Sequence, residues 1–349
     1  MSEGNNLLRL TRLEFRKLRK GIALYIISAV IVLFAILITS NMDDNYSRQV
    51  QSINQHRSEI TSMIETGQMV VYGNAIPDTM DYQSYIALDD NGHLLPANIE
   101  FWKEFYNEYF DSEIVSLTAE GGYYSFSAMT RNAAFSFASF IPVLAVAAGV
   151  TLFASEYRNS TYRLIISRGV TRSGLMGAKV LTVVGLGLYL ALLATLAVSL
   201  AGFLSFQNLS SSAPAVFSFA AIASIFGVAA FMFIGYMMGG AALGTLVASP
   251  TTAMTVGLII AFIGGNIFLM ASPCMDNIIG LLSPLSLGYN YGSLMQEFWV
   301  TSNSMGFGVF GDTQNCYRDV VPSIIVASGY TAFYTLAVFT IFRRKELKT

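Results

Sequence analysis

Charge is what this 349-residue chain has least of: 12% of its residues are Asp, Glu, Lys or Arg and 54% are hydrophobic, against roughly 25% charged in an average soluble domain. Histidine occurs twice, as His56 and His93, neither near a second His or Cys at metal-ligand spacing, so no metal site is expected. There is no G-x-x-x-x-G-K-[ST], so the chain cannot cradle and hydrolyse ATP in the P-loop manner. A Ser-His-Asp arrangement has no local signature, and no catalytic residue is assigned. No repeat at a fixed period is visible, and no nucleic-acid partner is expected. These absences argue against an enzyme.

The scarce charges also avoid particular windows. Six stretches of about 19 to 26 residues are almost free of them, and that many helical residues span about 28 to 39 Å, enough for a hydrocarbon core of ~30 Å. The fold expected is therefore an all-α polytopic membrane protein with six transmembrane helices, at 21–40, 132–154, 180–206, 213–238, 252–272 and 320–342. The first window, "GIALYIISAVIVLFAILIT", is longer than the core of a secretory signal and has no A-x-A site after it, so it reads as a retained span.

Positive charge sets the orientation. The segments 1–20, 155–179 and 343–349 hold 15 of the 20 Lys and Arg, whereas the opposite side holds only Arg48, Arg57, Lys103, Arg131 and Arg318. By the positive-inside rule both termini are cytoplasmic, in a cell membrane. Residues 1–20 alternate Leu and Phe with Arg and Lys at helical spacing. Leu7, Leu10, Leu13 (or Glu14), Phe15 and Leu18 make one side, and Arg9, Arg12, Arg16 and Lys17 are among the bases on the other. This suits an amphipathic helix lying in the inner interface; the competing reading is a disordered basic tail.

Outside, residues 41–131 carry 14 acidic and 4 basic residues and read as an α-rich extracellular insertion between spans 1 and 2. Phe101, Trp102, Phe105 and Tyr109, with Ile60 and Ile64, are its expected core, steadied by a dimer mate or by the segment around Trp299. Residues 273–319 are apolar and aromatic but broken by Pro284, Gly288 and Gly292. They read as a re-entrant or interfacial element between spans 5 and 6, tolerated at depth only where protein or a wet cavity covers the backbone. The two cysteines, Cys274 and Cys316, both fall there and are expected to form a disulfide.

Inside the spans, every one of the 42 charged residues is assigned to a loop, leaving Ser, Thr, Asn and Tyr such as Tyr189, Tyr236 and Asn266. Ion-coupled carriers usually need an intramembrane Asp, Glu, His or Arg, so a proton-driven pump is disfavoured and energy is expected to come from a partner. Gly235/Gly239 and Gly240/Gly244 each form a G-x-x-x-G, which allows close helix approach, within the chain or at a subunit interface.

One loop carries a motif. "ASEYRNSTYRLIISRGVTRSGLMGAKVL" resembles the first cytoplasmic loop of type-2 ABC transporter permeases, the superfamily exporting drugs, antibiotics, peptides and polysaccharides. The family's Glu and Gly-Thr-like pair fall on Glu156 and Ser160-Thr161, and, after a short helix, its Ser-x-x-x-x-Arg…Gly-x-Lys ending falls on Ser167 to Arg172 and Gly177-Ala178-Lys179. Ser160 stands where Gly is usual, and Gly169 where Pro is common. The layout agrees: a basic interfacial helix first, a large outer insertion after span 1, a broken segment after span 5 and a closing "FRRKEL".

The resemblance implies that this loop is a coupling helix docking into a cytoplasmic ATPase through Glu156, Tyr157, Arg158, Asn159, Ser160, Thr161, Arg163, Arg168 and Arg172. Leu164, Ile165 and Ile166 would serve as its apolar anchor. The competing reading is a cationic loop resting on lipid headgroups. The resemblance further implies two ATPase subunits, a second permease copy or a sister permease, and no cofactor in this chain, with ATP and magnesium held by the ATPases. The function expected is export of an amphipathic or hydrophobic substrate, such as an antibiotic, a peptide or a lipid-like molecule. Alternatives are a sensor or immunity subunit binding a cationic peptide at its outer domain, and a sodium-coupled carrier.

Overall fold

A computed structural model describes residues 3–20, 22–66, 96–118, 125–158, 166, 170–247 apart from 210–218, 249–262, 283–299 and 319–344. Among the described residues the only regular structure is helical. We number the helices α1 (Glu3–Lys20), α2 (Ile22–Glu65), α3 (Pro96–Thr118), α4 (Phe126–Ala138), α5 (Ile141–Arg158), α6 (Arg172–Leu209), α7 (Phe219–Leu246), α8 (Pro250–Ile260), α9 (Leu287–Trp299) and α10 (Val320–Arg344). Four of them, α2, α6, α7 and α10, are long and apolar enough to cross a membrane, and the pair α4–α5 makes a fifth if it counts as one bent span.

The bend in that pair is the first departure from the sequence reading, which has one helix over 132–154. The axes of α4 and α5 differ by 51°. Pro142, the second residue of α5, lacks an N–H and its ring crowds the carbonyl one turn back, so a straight helix cannot pass through Ala138. Helix ends also overrun the charge-free windows. Helix α6 begins at Arg172, inside the segment read as a loop, because the Thr171 hydroxyl accepts from the Gly174 N–H (3.2 Å) and caps it there. Helix α7 runs on to Leu246, after which Ser249 caps α8 and Pro250 takes its first position. Residues 263–272 of the expected fifth span lie outside the described residues.

The main apolar cluster is built from α4 to α7, with contributions from α2, α8, α9 and α10. Its tightest contact is between α5 and α7. A Cβ on Gly149 would lie 2.1 Å from the Met237 carbonyl oxygen, and one on Gly240 would lie 2.5 Å from that of Val146, so these backbones touch. The second glycine pair therefore serves packing within the chain. Gly235 also faces inward, toward the Tyr291 hydroxyl. Hydroxyls in this apolar setting donate to the carbonyl four residues back, as Thr151, Thr182, Thr195 and Thr245 do.

Helix α9 is wedged among α4, α7 and α10. The Tyr291 hydroxyl donates to the Phe231 carbonyl (3.0 Å), and that of Tyr330 donates to the Leu285 carbonyl (2.6 Å). Tyr330 is ten residues, about 15 Å, into α10, so the turn that leads into α9 lies well down that helix.

A second cluster sits where α2 and α3 pair. Ile53, Ile60 and Ile64 meet Trp102, Tyr106 and Phe110, and Phe126, Met129, Phe203 and Phe206 close the far side. Trp102 is buried as expected, but the buried stripe continues through Tyr106 and Phe110, while Phe101, Phe105 and Tyr109 are half-buried at its flank. The packing that completes this core comes from the ends of α4 and α6. The Trp299 side chain lies outside the described residues. Arg57 pairs with Asp111 and lies over the Phe110 ring, and Lys103 pairs with Glu65 (2.7 Å). The hydrogen bond to Glu65 holds the Lys103 ammonium above its usual pKa.

Candidate coupling site

The motif loop leaves α5 at Arg158 and returns at Arg172. Glu156, Tyr157 and Arg158 end α5 in helical backbone, and their side chains lie outside what the structure describes, as do residues Asn159, Ser160, Thr161, Arg163 and Arg168. Arg172 is exposed at the start of α6, and its guanidinium donates to the Arg343 carbonyl at 3.4 Å, bringing the end of α10 beside the loop. Ile166 and Val170 pack against the main cluster. Ile166 is thus partly committed to the chain's own core; Leu164 and Ile165 lie outside the described residues.

Helix α1 packs chiefly on α6 and also meets α2. Arg9, Arg12, Arg16 and Lys17 are exposed, and so are Leu8, Leu13 and Phe15. The side facing the protein is made by Leu10, Thr11, Glu14 and Leu18, so Glu14 rather than Leu13 belongs to it. The Phe15 ring meets α6 at Gly185, where a Cβ would stand 2.4 Å from the ring edge.

Glu14 is 5% exposed and Lys179 fully buried. The Lys179 ammonium donates to the Leu152 carbonyl of α5 (3.1 Å) and to one carboxylate oxygen of Glu14 (3.5 Å), and it lies 5.2 Å from the centre of the Phe153 ring. The other carboxylate oxygen accepts from Lys17 at 2.9 Å. This overturns the assignment of every charge to a loop: Lys179 lies two turns inside α6 and is shielded by three helices. The Gly-x-Lys ending of the motif marks the residue but not its burial, because its partner is 165 positions away. The available signal was Glu14, an acid set among six bases.

Elsewhere, a groove of about 400 Å³ opens between α7, α9 and α10, lined by Ser224, Gly227, Val228, Phe231, Leu294, Phe298 and Ile324. Its single polar side chain, Ser224, donates to the Ala221 carbonyl (2.8 Å).

The family model described as ABC-2 family transporter protein matches residues 8–347, nearly the whole chain. The chain belongs to the ABC-2 transporter family. This ABC-2 protein is accordingly a multi-pass membrane permease, the component of an ABC transporter that associates with an ABC ATPase and is generally not itself catalytic. No curated protein matches the permease in sequence.

Proposed function

We propose that the permease couples ATP hydrolysis by a separate cytoplasmic ATPase to export of an amphipathic or hydrophobic substrate such as an antibiotic, a peptide or a lipid-like molecule. It works in the cell membrane with six spans and both termini cytoplasmic, paired with itself or a sister permease and with two ATPase subunits that carry ATP and magnesium. Residues 41–131 stand outside, and 273–319 re-enter the membrane beside span 6. In support, Leu285 lies beside the middle of α10. An uncharged groove with one committed hydroxyl suits the apolar part of such a cargo.

The observation that carries the coupling role is the joint at Lys179, which holds the two stems of the motif loop side by side in a chain of this family. Closure of the ATPases on ATP pushes the loop, and the push enters the membrane through α5 and α6 together. Glu156, Tyr157, Arg158, Asn159, Ser160, Thr161, Arg163, Arg168 and Arg172 form the docking surface, with charge steering the encounter.

The test is isolation of the native complex and its reconstitution into vesicles. A co-purifying P-loop ATPase and ATP-dependent cargo transport are expected. Transport by the permease alone under a sodium gradient would replace this reading with a carrier, and peptide binding without transport would replace it with a sensor.

Two further outcomes are expected. Reversing the charge of Glu156 or Arg172 reduces substrate-stimulated ATPase activity by about fivefold, the scale of one exposed ion pair at roughly 1 kcal/mol, while the protein still inserts. Unchanged stimulation in both variants would favour the lipid-contact reading. Cys274 and Cys316, which lie outside the described residues, form a disulfide outside the membrane. Closing about 43 residues stabilises the segment by on the order of 4 kcal/mol in the chain-entropy model. Alkylation of both thiols in intact, unreduced protein, read by mass spectrometry, would refute the bond.

A further inference from the structure

We infer that Lys179 is a positioning residue that locks α1 to both stems of the motif loop, so that force entering the loop moves the amino-terminal helix along with α5 and α6. The inference rests on the coupling role proposed above for residues 156–172.

The position of the joint is what suggests this. Leu152 lies six residues before the end of α5 and Lys179 seven residues after the start of α6, so the joint sits roughly 10 Å into each stem. A helical carbonyl has a second lone pair beyond its backbone bond, and the Leu152 carbonyl receives the ammonium at 3.1 Å. The same ammonium reaches Glu14 of α1, and Lys17 holds the other oxygen of that carboxylate and so fixes its rotamer. One buried cation is thus shared by three helices. Next to Glu14, the Phe15 ring fills the notch at Gly185, so α1 is held on α6 at two points.

Apolar packing alone could hold these helices together, and replacing a buried ion pair by apolar residues of similar volume is often neutral or stabilising. What such packing does not supply is direction. A Met at 179 leaves the Phe15 ring in its notch as the one remaining point that holds α1 on α6, whereas an ammonium shared between a carboxylate and a carbonyl fixes the register of all three helices.

The experiment uses the full permease with its ATPase partner in lipid nanodiscs, with spin labels replacing the exposed Leu8 and Ser173, in the nucleotide-free and ATP-trapped states. In the otherwise unaltered chain the distance between labels is expected to be narrow and equal in both states, as for one rigid unit. The double variant E14Q/K179M buries no unpaired charge. It is expected to assemble, to broaden that distance and to lose at least about fivefold of the substrate-stimulated ATPase activity measured without labels, the lower end of typical coupling effects. The swap E14K/K179E restores the ion pair, but a carboxylate at 179 cannot donate to the Leu152 carbonyl. It is expected to narrow the distance again without restoring stimulation.

If the double variant does not assemble, Glu14→Gln alone keeps every packed atom and should broaden the distance to a smaller extent. A wild-type distance distribution in both states, in whichever of the two assembles, would overturn the inference. If the native complex shows no stimulated ATPase activity at all, the coupling reading fails, and the distance measurement still decides whether Lys179 locks the three helices.

Discussion

Leucine in place of Gly149 is expected to leave almost no folded permease. The Met237 carbonyl oxygen stands 2.1 Å from where any Cβ at 149 would be, and the Ala241 nitrogen 3.0 Å. Both obstacles are backbone, so no side chain can turn aside to make room. Gly240 and Gly244 repeat the situation in the other direction, against the carbonyls of Val146 and Val150 at 2.5 and 3.2 Å. Even alanine must force α5 and α7 apart, and moving the helices opens gaps along their whole contact. Overpacking typically costs about 1–3 kcal/mol and occasionally more, out of a total that is ordinarily about 5–15 kcal/mol. Gly149→Ala should lower the midpoint of thermal unfolding in detergent by on the order of 5 °C, and Gly149→Leu should abolish the monodisperse peak in size-exclusion chromatography. Gly329→Ala serves as the control, because nothing lies within 4 Å of a Cβ there. An intact, unshifted Gly149→Leu protein would show that α5 and α7 do not meet in this way.

Trp102→Ala should be nearly as costly, but only in one part of the molecule. Trp102 is 2% exposed, at the centre of the cluster between α2 and α3, and truncation of a buried Trp costs about 3–5 kcal/mol. That cluster is separate from the one that unites α4 to α7. Limited proteolysis of the variant should therefore cut within α2 beyond residue 50 and within α3 while α6 and α7 survive. The same geometry predicts that residues 41–131 expressed alone fold poorly, since Phe203 and Phe206 of α6 are missing from that fragment. A small core without staples is marginal already. A cooperative thermal transition in the isolated fragment would show that the contacts with α6 are dispensable.

These elements also mark what could be read from residues alone. The apolar runs of α2, α6, α7 and α10 are legible because lipid forbids charge over about 20 residues, a constraint each span meets by itself. The bend at Ala138 was legible too, from Pro142, but the uninterrupted apolar run around it hid the break. In α3 two aromatic stripes stand side by side, 101/105/109 and 102/106/110. Spacing alone cannot choose between them, because the choice depends on where α2 lies. Lys179 is the plainest case of a residue whose role is not local. A lysine near a span end reads as an anchor at the interface, and only its meeting with Glu14 makes burial tolerable. In the loop itself the sequence carried the family likeness, and the structure adds the stems that hold it.

Helix α2 runs unbroken for 44 residues, from Ile22 to Glu65, roughly 66 Å at helical rise. Its apolar half is long enough to cross the bilayer, which leaves about 30 Å beyond it with α3 attached. Such a rod works as a lever. A tilt of about 10° pivoting near residue 43 sweeps Glu65 sideways by roughly 6 Å, several times the displacement at the pivot's own neighbours. Small rotations among the packed helices would thus be magnified at the far tip of α2, where a label near Glu65 or Lys103 would register them before any change among the apolar helices became large enough to resolve.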